Sequence, residues 1–105
     1  FNKLVRDYIP EIIKENGKGC RTRILDEKEY MRELRQKIHE ELAEYMECQT
    51  DQKSIEELAD MLEIIRALAK VHGISSEKLN EISRKKAEKR GGFKERIFLI
   101  DVEDE

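Results

Sequence analysis

The residues best placed to do chemistry are acids at helical spacing. Glu40, Glu41 and Glu44 stand together, and after twelve further residues come Glu57 and Asp60. At ~100° per residue, with Leu34 as zero, Ile38, Leu42 and Tyr45 fall between ~20° and ~80°, and Glu41 joins that apolar face at about −20°. Glu44 lies at its edge near −80°, whereas Glu40 lies near 240°, on the side expected to face water. Counted from Leu58, the next segment carries two apolar stripes: Leu62, Ile65 and Ala69 within ~40° of Leu58, and Met61, Ile64 and Leu68 between ~240° and ~300°. Glu57 sits inside the second stripe at ~260° and Asp60 borders it at ~200°. Each segment thus offers two carboxylates at i, i+3, one turn apart on one side. Packed as an antiparallel hairpin, the two would bring Glu41, Glu44, Glu57 and Asp60 together.

Close like charges raise one another's pKa and desolvation penalises the ionised form, so such a cluster is costly unless a cation neutralises it. An all-oxygen set without histidine suits Mg²⁺, or Mn²⁺, better than zinc or copper. Mg²⁺ keeps waters and combines a few carboxylates with substrate phosphates, so four acids would hold one ion firmly or organise several around a polyphosphate. The competing reading is a solvated acidic face, the usual fate of charged helix surfaces.

Charge is also segregated. Residues 27–63 hold twelve acids and five bases, while residues 78–96 hold eight bases and three acids. Lys86 and Lys89 continue the stripe of Leu79 and Ile82, and Arg90 precedes Gly91-Gly92, where backbone amides can approach an anion. A phosphate clamp facing the acids is one reading; the other is lysine stems laid on the core with their ammonium groups in water.

The elements that must position these groups follow from periodicity and punctuation. A short helix over about 6–16 has Pro10 in its first turn and stops at Asn16-Gly17. Helical spacing runs from Glu27 to about Gln49, and Asp51 or Ser54 is a candidate cap for the next helix, which ends at Gly73. Ser75 or Ser76 opens a third long helix that Gly91-Gly92 ends. Ile97 to Ile100 with Val102 reads as a buried strand, with Arg21 to Leu25 as its partner. The expectation is a mainly α chain: a helical bundle on a long antiparallel hairpin, a third long helix, and a small two-stranded β element pairing about 20–25 with 96–102.

The 105 residues suit one domain, 1–105, and 43% of them are charged. Regularly spaced Leu, Ile and Val argue against disorder. No apolar run is long enough for a membrane span and no signal segment opens the chain, so a cytoplasmic location is expected. A formal net charge of −3 speaks against a general nucleic-acid binder. Cys20 and Cys48 lack zinc spacing and are expected to be reduced and structural. His39 and His72 have no Glu-x-x-His partner, and no P-loop, EF-hand loop or GxSxG motif is present.

Taken together, Glu40-Glu41-x-x-Glu44 followed by Glu57-x-x-Asp60 resembles the EExxE and ExxD signature of the all-α NTP pyrophosphohydrolase superfamily, the MazG-like and phosphoribosyl-ATP pyrophosphohydrolase-like proteins. The opening Asn2-Lys3-Leu4-Val5-Arg6-Asp7 with Ile9-Pro10, and the late Lys89-Arg90-Gly91-Gly92-Phe93 with Arg96-Ile97, resemble its short house-cleaning branch that acts on non-canonical nucleotides. Tyr8 departs from that pattern, which has a lysine there. The resemblance implies Mg²⁺-dependent hydrolysis of a nucleoside triphosphate between its α- and β-phosphates, giving a monophosphate and pyrophosphate. It implies Glu41, Glu44, Glu57 and Asp60 as catalytic metal ligands, with Lys86, Lys89, Arg90, Lys3 and Arg6 against the phosphates. It further implies a homodimer or higher homo-oligomer. Two other readings remain: a phosphoribosyl-ATP type substrate, and a non-catalytic helical module whose basic helix docks an acidic partner.

Overall fold

A computed structural model describes residues 2–104. It contains four helices: α1 (Ile9–Glu15), α2 (Glu27–Glu47), α3 (Asp51–Val71) and α4 (Ser76–Arg90). Each long helix starts on a side chain that accepts from an otherwise orphaned amide, as helix starts require. Asp26 accepts from the Glu29 amide at 2.8 Å, Thr50 from Lys53 at 3.2 Å, and Ser75 from Lys78 at 3.1 Å. Thr50 thus takes the role expected of Asp51 or Ser54, which fall inside the helix. Pro10 stands in the first turn of α1, where its missing N–H costs nothing. Gly73 and Gly91, at φ 87° and 81°, turn the chain out of α3 and α4 through a region that a Cβ disfavours.

The α2–α3 hairpin is the body of the molecule. Leu34 and Ile64 lie fifteen residues before and after Gln49 in the turn, and both are buried. The second stripe of α3, with Met61, Ile64 and Leu68, is therefore the one that packs on α2. α4 touches α3 alone and buries none of its own residues. Among the described residues, only Leu34, Ile64 and Ala69 form a buried core. The radius of gyration is 18.5 Å, against about 13 Å for a compact chain of this length. No helix among the described residues is long and apolar enough to cross a membrane.

The expected β element does not form. No strand occurs among the described residues, and 20–25 and 96–102 carry no strand pairing. The segment read as a buried strand is open to solvent: Phe93, Ile97 to Ile100 and Val102 are 73–98% exposed. The reasons are local and global. Arg96 takes φ 57°, which bends the chain where the strand should begin. Arg23 pairs with Glu29 at 2.9 Å, tying the earlier segment to the start of α2. A lone two-stranded pair is also marginal unless a third strand or a helix covers its apolar side, and nothing covers Ile24, at 95% exposure.

Candidate metal centre

The hairpin determines which acids meet. Glu41 and Glu57 lie eight residues before and after Gln49, so they face each other across the helix pair just as Leu34 and Ile64 do two turns further from the turn. Glu44 follows Glu41 by one helical turn. One carboxylate oxygen from each of Glu41, Glu44 and Glu57 can be chosen so that all three lie within 4.8 Å of one another. Glu41 and Glu57 are half-buried and Glu44 is exposed, so the group opens to water on the Glu44 side. Glu40 is exposed, as its place on the helix implied.

The buried side of this cluster has an unmet demand. Glu41 Oε2 and Glu57 Oε2 are both shielded from solvent and neither has a hydrogen-bond partner. As two ionised groups they can only accept, and each lacks a donor. The apo protein can relieve this by placing one proton between them. That shared hydrogen bond with Glu57, then burial, then the charges of Glu44, Glu57 and Asp60, push the Glu41 carboxyl up to about 7. A divalent cation answers the same demand with positive charge. The donors are hard oxygens with no nitrogen or sulfur, the set that suits Mg²⁺ or Mn²⁺.

Asp60, the fourth expected ligand, is half-buried one turn beyond Glu57 and its Oδ1 accepts from Arg6 at 2.7 Å. It adds to the field on Glu41 but is not among the three acids whose oxygens converge. Arg6 therefore reaches the edge of the centre from the N-terminal arm. The other expected phosphate ligands are not brought there. Lys3, Lys86, Lys89 and Arg90 are exposed, and among the described residues none of them forms an ion pair. Because α4 buries no residue, its second half has no inward side for Lys86 and Lys89 to face.

One cation near the acids escaped the reading of the sequence. Lys53 lines an open depression of about 500 Å³ with Glu44, Glu57 and Thr50, at the turn end of the hairpin. The signal was present: Lys53 precedes Glu57 by four residues, the spacing that puts two side chains on one face. A larger depression of about 680 Å³, on the first half of α2, contains Lys28, Arg32, Arg35 and His39 and none of the acids of the centre. Cys20 is exposed rather than structural, and Cys48 is half-buried; both thiols are free. No protein-family model, curated protein or solved structure matches the chain.

Proposed function

We propose that the chain is a Mg²⁺-dependent nucleoside triphosphate pyrophosphohydrolase, cleaving between the α- and β-phosphates and acting on non-canonical nucleotides. The observation that carries this reading is the pair of shielded, unpartnered oxygens on Glu41 and Glu57 beside Glu44. Ordinary surface acids are hydrated, and a cluster left with unmet acceptors fits a cation. The motif resemblance supplies the reaction; the carboxylate geometry is compatible with it.

In this mechanism Glu41, Glu57 and Glu44 hold the ion, with Asp60 at the margin. Mg²⁺, when bound, supplies a polarised phosphoryl oxygen and a more acidic water. Glu44, the acid of the three most open to solvent, accepts the proton from the attacking water. Arg6, paired with Asp60, and Lys53, in the depression with Glu44 and Glu57, offset charge that develops on the phosphates. Lys3, Lys86, Lys89 and Arg90 join only if the N-terminal arm and α4 close over the substrate. Hydrolysis places the water oxygen on one phosphorus of the α–β bridge, and the bridging oxygen leaves with the other.

The test is pyrophosphate release from a panel of canonical and modified nucleoside triphosphates with Mg²⁺. Release by the wild type, its loss in Glu57→Gln and its persistence in Glu40→Gln are expected. Equal activity in Glu57→Gln and wild type would remove the site assignment. The large exposed apolar surface favours one second reading, a non-catalytic helical interaction module. That reading predicts no release from any nucleotide and no Mg²⁺-induced rise in melting temperature.

A further inference from the structure

Away from its acids, α2 carries a second ordered row of side chains. Lys28, Arg32, Arg35, His39, Leu42 and Met46 follow one another at four, three, four, three, four. That is the spacing of a heptad seam, the row by which one helix packs along another. At ~100° per residue from Leu34 the six fall between ~80° and ~160°. All six are exposed, Leu42 at 47% and Met46 at 72%. Glu41 and Glu44 lie ~140° and ~160° from the middle of the row, so a helix laid along it leaves the metal centre open.

The first four positions are basic in a helix rich in acid. The seven glutamates of α2 all lie outside the arc of the seam, between ~220° and ~20°. Lys28, Arg35 and His39 have no acid three or four residues away, and none of them forms an ion pair among the described residues. Arg32 has Glu29 at that spacing, but Arg23 holds Glu29 at 2.9 Å and Arg32 reaches only Glu33, at 4.0 Å. Lys28 with Arg32, and Arg32 with Arg35, are like-charge pairs at i, i+4 and i, i+3, which weaken a helix standing alone. Acids on a docked partner remove that penalty. The four bases also line the open depression of about 680 Å³ on this half of α2.

The period, the charge and the order of the row define its occupant. A seam of helical period is matched position for position by a second helix, here about 27 Å long from Lys28 to Met46. That helix is acidic where it meets the bases and apolar where it meets Leu42 and Met46. A second copy of the row does not fit: parallel pairing sets base on base, and antiparallel pairing sets Lys28 on Met46, Arg32 on Leu42 and Arg35 on His39, with no acid among them. A bilayer surface calls for a broader apolar face than two side chains, and the formal net charge of −3 speaks against nucleic acid. We propose that this row on α2 is the docking surface for an acidic amphipathic helix of another protein, lying antiparallel along it with acids against the four bases and apolar side chains against Leu42 and Met46. Antiparallel docking also opposes the two helix dipoles. Docking does not depend on the reaction at the metal centre.

Fluorescence anisotropy with the full chain tests this. The probe is a labelled synthetic helical peptide with the same four, three, four spacing, carrying glutamate opposite the four bases and leucine opposite Leu42 and Met46 in the antiparallel order. The wild type is expected to bind it with a micromolar dissociation constant, and to bind a peptide of the same composition and helix content but broken spacing at least about tenfold more weakly. Arg32→Glu with Arg35→Glu is expected to lose the matched peptide and to gain a version with lysine opposite those two positions, a gain that an unfolded variant cannot produce. Leu42→Ala with Met46→Ala is expected to weaken the matched peptide at least about threefold with helix content kept by circular dichroism. No binding of the matched peptide, equal binding of the broken one, or no gain in the charge-swapped pair overturns the proposal. Tighter binding of a duplex oligonucleotide or of phosphatidylserine vesicles, lost in the Arg32 and Arg35 variant, assigns the row to another class of partner and also overturns it.

Discussion

Replacing Glu41 by Gln should make the apo protein more stable at alkaline pH. The Glu41 carboxyl titrates at about 7 in the folded chain against an ordinary 4.5, chiefly through the hydrogen bond it shares with Glu57. The folded value lies above the unfolded one, so between those limits the native state holds a proton that the unfolded state has released. This group's contribution is therefore fully present below about pH 4.5 and is lost as pH rises through about 7. At about 1.36 kcal/mol per pH unit, the window corresponds to about 3 kcal/mol. Glu41 is only half-buried and solvent screens it, which reduces the figure to about 1–2 kcal/mol. For a domain of this size that is about 5–10 °C in melting temperature. Thermal melts of wild type and Glu41→Gln from pH 5.5 to 8.5 should therefore diverge, with the wild type falling more steeply. Added Mg²⁺ should lift the wild type at pH 8 and leave the variant unmoved. Comparing the two proteins cancels the titrating groups that lie away from this acidic cluster. Parallel curves would refute the crowding of Glu41 against Glu57, and an equal Mg²⁺ response in both would refute its role in holding the ion.

Two further predictions concern the scaffold. Leu34→Ala removes the best-buried side chain of the hairpin and should cost about 2–5 kcal/mol in urea unfolding, enough to leave much of so small a core unfolded at room temperature. Thr50→Ala removes the cap of α3 and should cost about 1 kcal/mol, whereas Ser54→Ala, inside the helix, should change stability by less than about 0.5 kcal/mol in the same measurement.

The helices and the inward acids were legible because each rests on local information. A period of 3.6 with a cap and a stop defines a helix, and the same wheel that puts Ile38 inside puts Glu41 there and Glu40 outside. Three of the four expected ligands meet because one turn fixes the register of α2 against α3. The rest depended on contacts that sequence spacing does not encode. Ile97 to Ile100 has the composition of a buried strand, yet burial needs a partner surface, and Arg96 turns the segment away. Lys86 and Lys89 continue a stripe on the wheel, but a stripe faces inward only where another element lies over it. Arg6 was expected on a phosphate and is found on Asp60, a pairing across 54 positions of sequence that no local pattern announces.

The open arm after α4 brings a hazard and a partial safeguard. Ile97-Phe98-Leu99-Ile100 is an unpaired, proline-free run of strong β-formers, the composition from which fibrils stack. Charges bracket it unevenly: Lys94, Glu95 and Arg96 leave the near side basic, and Asp101, Glu103 and Asp104 make the far side acidic. Parallel, in-register stacking sets like beside like and is opposed at both ends. Antiparallel stacking sets the basic side of one arm beside the acidic side of the next and is favoured. The flanks thus act as gatekeepers against one aggregate and as guides for another. Moderate salt weakens both effects, so the antiparallel preference of any fibrils grown from this chain should fade as ionic strength rises.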